Sequence, residues 1–224
     1  MNNFLRLFCF VAIVHLLAKF FGHAFVDQLT KPLLLPLLIL FFIQTTSAYP
    51  SRLRLFFISA LFFSWLGDIV LMFSDEKELF FILGLAFFLL TQLFYAIVFF
   101  SWVEKGSLTL RVIVTAIIPF ATFGIFLLMK LLPHLGALFV PVIVYASAIT
   151  LMGIAATLTF KSIRMENCLT LVSGSVFFIV SDSLLAVNKF LAPVPYSGFL
   201  VMLTYIVAQG VIAKTVSEVL ADKR

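Results

Sequence analysis

Apolar residues in this chain come in long unbroken stretches. Eight stand out, at 4–21, 32–48, 53–73, 79–102, 112–131, 136–160, 169–191 and 196–220. Charges or turn residues such as Tyr49-Pro50-Ser51, Lys105-Gly106-Ser107 and Pro193-Val194-Pro195 separate them. A helix crossing the hydrocarbon core of a bilayer needs about 20 mostly apolar residues, and these stretches have that length. Membrane barrels alternate apolar and polar side chains with period two, an alternation the stretches lack. The pattern predicts an all-α bundle of eight transmembrane spans, forming one domain over residues 1–224. The connections are short, so any chemistry is expected inside the bundle or at its faces.

Composition agrees with the pattern. Hydrophobic residues are 63% of the 224, charged residues 11%, and 29 residues are Phe. A soluble globular chain carries roughly 25% charged residues, so the solvent for most of this surface is lipid. The net charge of +5 does not imply a nucleic-acid partner, because the basic residues are scattered between apolar stretches. Their distribution instead predicts orientation. The N-terminal end, the even-numbered connections and the C-terminal end hold ten Lys and Arg: Arg6, Arg52, Arg54, Lys105, Arg111, Lys161, Arg164, Lys214, Lys223 and Arg224. The odd-numbered connections hold five, Lys19, Lys31, Lys77, Lys130 and Lys189, together with Asp27, Asp75, Glu76 and Glu78. Both termini are therefore expected on the cytoplasmic side, with the first stretch kept as a helix rather than removed as a signal peptide. The short connections and lack of sorting signals suggest a bacterial cytoplasmic membrane.

No metal or cofactor pattern is present. His15, His23 and His134 have no ligand spacing, and Cys9 and Cys168 define no disulfide framework. Ser173-Gly174-Ser175 lacks the flanks of a nucleophile elbow, and no phosphate-binding loop occurs. The chemistry-bearing residues are two carboxylates well inside the stretches, Asp68 in the third and Asp182 in the seventh. An ionisable residue at membrane depth is costly and by default marks a functional site facing the bundle interior. Both lie in odd-numbered helices, Asp68 five residues past the middle of its stretch and Asp182 two past. At about 1.5 Å rise per residue, they reach similar depth and are expected to share one cavity. Interhelical hydrogen bonding is the plainer role for a buried aspartate, but two at matched depth favour a site. Gln92, Tyr95, Tyr145, Tyr205 and Gln209 are expected to border the same cavity. The aspartates are 114 positions apart in similar surroundings, which suggests a 4+4 parallel repeat.

Paired carboxylates in unequal environments divide acid and base roles, which suits hydrolysis of an acid-labile bond reached from the lipid phase. Intramembrane aspartyl proteolysis does not fit, because Leu66-Gly67-Asp68 lacks a Gly-x-Gly-Asp pattern and no Pro-Ala-Leu follows. Five segments in order resemble the YhhN-like lysoplasmalogenase family of eight-helix membrane proteins: Ser64 to Met72, Thr91-Gln92-Leu93-Phe94-Tyr95, Tyr145 to Met152, Val180 to Ala186, and Thr204 to Gln209. Lys31-Pro32 is similar to that family as well. One departure is Gln92, where the family often has His.

The resemblance implies hydrolysis of the vinyl-ether bond of a lysophospholipid substrate, a lysoplasmalogen, to a fatty aldehyde and a glycerophospho-base. Vinyl ethers hydrolyse through protonation at carbon, which gives an oxocarbenium ion that water captures. Asp68 and Asp182 are then the acid and the stabilising carboxylate, in either assignment. Lys31, Asn188 and Lys189, near the outer mouth, would meet the head-group phosphate. The rival class is a proton- or cation-coupled transporter using the same aspartates.

Overall fold

The computed structural model describes residues 2–74 and 76–222; Asp75, Lys223 and Arg224, used in the charge tally, lie outside them. Among the described residues eight helices are long and apolar enough to span a membrane. They are α1 (Asn3–Phe21), α2 (Ala24–Thr45), α3 (Arg52–Leu71), α4 (Glu78–Ser101), α5 (Leu110–Leu131), α6 (Phe139–Leu158), α7 (Met165–Phe190) and α8 (Ser197–Asp222). Short 3₁₀ turns extend α5 through His134 and flank α6 on both sides.

Most boundaries follow the apolar pattern, helped by local caps. The Asn2, Ser51 and Thr109 side chains accept from the first-turn amides of α1, α3 and α5. The exception is α2, expected from Pro32 but beginning at Ala24. Gly22, with φ of 73°, caps α1 in the left-handed region, and only Gly22 and His23 separate the two helices. Lys31 and Asp27 are therefore helical residues rather than connection residues. Pro32 and Pro36 lie inside the helix. Pro36 has no amide to offer the carbonyl of Pro32. The Trp65 indole of α3 donates to that carbonyl instead, at 2.9 Å, so the freed group is satisfied from a neighbouring helix.

The most extensive helix pairs are α3 with α4 and α7 with α8. Aromatic rings fill the centre: Phe42 lies 4.5 Å from Phe57, and Phe57 5.3 Å from Tyr95, between ring centroids. A second apolar cluster of Phe81, Leu131, Leu135, Leu138 and Val142 sits near the α3–α4 and α5–α6 connections. Helix α5 is peripheral, burying Ala116 and Leu131 along its length. In lipid such an exposed apolar surface carries no penalty, so the helix need only hold its inner edge against α6.

Candidate active site

Helices α1, α3 and α7 end, and α2, α4 and α8 begin, at the face carrying the odd-numbered connections. A cavity of about 210 Å³ opens among these ends, with both Asp68 and Asp182 in its wall. Lys31, Asn188 and Tyr205 also line it, as do Lys189 and Lys19. Its inner limit is set by the Phe88 and Tyr205 side chains.

The two carboxylates are held in parallel ways on different helices. Asp68, 2% exposed, accepts from the Tyr205 hydroxyl of α8 at 2.7 Å. Behind that hydroxyl runs a buried chain of polar groups. Tyr205 Oη lies 2.7 Å from Ser64 Oγ, Gln209 Nε2 donates to Ser64 Oγ at 2.7 Å, and Tyr95 Oη donates to Gln209 Oε1 at 2.6 Å. This network ties α3, α4 and α8 together and fixes the carboxylate's orientation. Asp182, half-buried, accepts from the Tyr145 hydroxyl of α6. Lys31 of α2 comes within electrostatic reach of Asp68, and the two aspartates of each other.

The surroundings of the pair differ. Asp182 also lines two apolar cavities, of about 50 and 70 Å³, both of which include Tyr145 and Val142 in their walls. Asp68 lines neither of these two. Asp68 thus faces the lysine-bearing chamber alone, whereas Asp182 stands where that chamber adjoins the two smaller apolar cavities.

Four expected cavity residues lie elsewhere: Tyr145 lines the two smaller apolar cavities beside Asp182 instead, and the other three lie deeper. Gln92, Tyr95 and Gln209 are fully buried behind the Phe88–Tyr205 level and do not line the 210 Å³ cavity. The reason is depth. On α4, Gln92 comes one helical turn beyond Phe88 and Tyr95 nearly two, while on α8 Gln209 comes one turn beyond Tyr205; each turn moves a side chain about 5.4 Å deeper. Tyr95 and Gln209 act in the supporting network. Gln92 lies beside the Tyr145 hydroxyl, and among the described residues neither of its amide atoms completes a hydrogen bond.

Sequence reasoning missed Lys19, which reaches the cavity from α1. Asp27 accepts from its ammonium at 2.7 Å, and the same carboxylate lies 3.4 Å from His15 Nδ1. His15 Nδ1 also lies 2.9 Å from Thr30 Oγ1. A lysine and an aspartate on either side of a tight Gly-containing turn were the available signal, and placing the start of α2 too late hid it. Ser64 was quoted within a motif but given no role; its partners are supplied by α8.

Comparison with known proteins places the sequence in a family. The YhhN family model matches residues 26–216, from early α2 to late α8, and takes in both aspartates. Lysoplasmalogenase TMEM86A of Homo sapiens is 36% identical over 178 residues, 76% of this chain and 68% of that protein. The Bos taurus protein of the same name is 33% identical over 174 residues, with the same two shares. No solved structure matches. With the family model covering most of its length and both carboxylates, the chain belongs to the YhhN family.

Proposed function

We propose that this protein hydrolyses the vinyl-ether bond of lysoplasmalogens, releasing a fatty aldehyde and a glycerophospho-base. The observation that carries the reading is the position of Asp182, at the meeting of a lysine-bearing polar cavity and two apolar ones. A lysoplasmalogen has the same layout. Its phosphate and glycerol are polar, its chain is apolar, and the vinyl ether lies where they join. The relatives named lysoplasmalogenase support the same activity.

In such a pose Lys31, Lys189 and Asn188 face the phosphate, with Lys19 beside them, and the chain points past Asp182. The vinyl carbon remote from oxygen lies on the chain side, next to Asp182, and the carbon bonded to oxygen lies toward Asp68. Asp182 transfers its proton to the remote carbon, and the π electrons form the new C–H bond. The resulting oxocarbenium ion is stabilised by the Asp68 carboxylate. Water adds to the cationic carbon and gives a proton to Asp68. The hemiacetal then collapses: its hydroxyl proton returns to Asp182, the carbon–oxygen bond to glycerol breaks, and Asp68 protonates the departing oxygen. Both carboxyl groups regain their starting states, and one water is consumed. Tyr145 and Tyr205 hold the two carboxyl groups in position throughout.

A transporter would use the aspartates differently, and ion-coupled sites commonly sit where helices are broken. Helices α3 and α7 run unbroken through Asp68 and Asp182. The test is incubation of purified protein with a lysoplasmalogen and assay of free aldehyde. Aldehyde release supports the hydrolase. Proton-dependent solute uptake by proteoliposomes, without aldehyde, would replace it with transport.

A further inference from the structure

The two apolar cavities adjoin one another and the lipid-facing surface through shared wall residues. They share Val142, Tyr145, Asp182 and Ala186, and the first also shares Phe81, Phe88 and Leu185 with the polar chamber. The second shares Gly124, Leu128, Ala146 and Thr150 with an open groove on the outer side of α5 and α6. Beyond those residues the groove is bounded by Ile125 and Leu151, 59% and 40% exposed. A series of adjoining apolar spaces therefore runs from Asp182, past Tyr145, to the bilayer side of α5 and α6. At Gly124 the two helices touch: a Cβ there would stand 3.1 Å from Thr150 Oγ1, so a chain passes only where this contact parts, and a larger side chain would fill it.

We infer that this passage is a binding channel for the single hydrocarbon chain of a lysolipid, opening sideways into the membrane between α5 and α6, with Gly124 and Thr150 as its threshold. The identity of the lysolipid rests on the function proposed above; the path of the chain rests on the cavities alone. Two features commit the channel to a chain rather than to water or a protein helix. Its walls are mostly aliphatic or aromatic, with Thr150 and the Tyr145–Asp182–Ser183 end as the polar exceptions, and it adjoins a chamber whose lysines suit the phosphate of the same molecule. A chain lying along it stays in an apolar medium, which avoids exposing its methylenes to water. Chain preference would be set at Gly124, far from the reacting bond.

The experiment uses wild-type protein in phosphatidylcholine vesicles and a lysophospholipid with a saturated ether in place of the vinyl ether and a photoreactive diazirine in mid-chain. Because no turnover is needed, its result is separate from that of the aldehyde assay. Adducts on the buried residues Leu131, Val142 or Ile149, suppressed by excess unlabelled lysolipid, are expected. Adducts confined to the lipid-facing Ile118, Phe126 and Met129, or to Met202 on the α8 side of the polar chamber, would overturn the channel even where aldehyde is released. Interior labelling by a protein that releases no aldehyde would keep the channel and remove the hydrolase reading. In G124L the interior adducts should be lost, and the ratio of kcat/KM for a long chain over a short one should fall roughly tenfold or more. Unchanged labelling and unchanged chain preference in G124L would remove the threshold. Should G124L not fold, the wild-type adduct map decides alone.

Discussion

Asp68 and Asp182 differ in their neighbours more than in their depth. Asp68 is met by Tyr205 and faces Lys31, whereas Asp182 is met by Tyr145 and borders apolar space. Replacing either with Asn keeps the shape and removes proton transfer. In each variant turnover should fall by roughly two orders of magnitude or more, with folded protein recovered in normal amount, because a neutral amide is less costly to bury than a carboxylate. The double variant should be little worse than the poorer single, since groups acting as one unit are not additive. Activity lost only in proportion to folded protein would instead mark the aspartates as packing groups. Tyr205→Phe and Tyr145→Phe remove the donors that orient the carboxyl groups. A hydrogen bond to a charged group contributes roughly 1.5–3 kcal/mol and one between neutral groups about 1 kcal/mol, so kcat should fall roughly tenfold or more in Tyr205→Phe and several-fold in Tyr145→Phe, with KM changed less. The aspartates were visible in the sequence because a charge inside an apolar stretch stands out. Lys19 was not, because a lysine near the end of a stretch looks like a connection residue until the helix bounds are known, whereas Lys31 was already expected at the mouth. Gln92, Tyr95 and Gln209 show the opposite limit: a polar residue in a span signals an interior position but not its depth relative to a cavity.

Helix α2 shows how an element is stabilised against its own sequence. Two prolines inside it remove two backbone donors, and the apolar pattern places its start at Pro32, eight residues late. The helix persists because most of its hydrogen bonds are internal and α3 supplies one that is missing, from the Trp65 indole to the Pro32 carbonyl. Trp65→Phe keeps the ring and removes that donor. The variant should lose about 1 kcal/mol of stability, read as a lower midpoint of denaturation in mixed micelles, with activity per folded molecule close to wild type. An unchanged midpoint would mean that the carbonyl finds another donor. Span number and most boundaries were legible from periodicity and turn residues. Helix contacts were not, since lipid offers no hydrophobic sorting of inner from outer faces. The peripheral place of α5, on which the proposed channel depends, has one counterpart in sequence: among the described spans it is the most apolar by mean hydropathy, with its charges, Arg111 and Lys130, confined to its ends.

At the scale of the whole molecule, the carboxylates and the lysine-bearing chamber lie toward the face of the odd-numbered connections. The excess of Lys and Arg on the opposite face predicts that both ends of the chain are cytoplasmic and that the chamber opens away from the cytoplasm. Reporter fusions at the two ends should report the cytoplasm from both, and opposite compartments would contradict this orientation. Under the proposed function, the bundle would place a polar head, a reacting bond and an apolar chain at successive positions across one carboxylate pair. Protonation at carbon leaves a mark on the product that no transport or packing role would leave. Purified protein acting on a lysoplasmalogen in deuterium oxide, with the aldehyde trapped as it forms, tests the central claim most directly. The account predicts free aldehyde carrying a single solvent deuterium on the carbon next to the carbonyl, and almost none from well-folded D182N. No aldehyde above a protein-free control, or equal deuterated aldehyde from D182N, would contradict it.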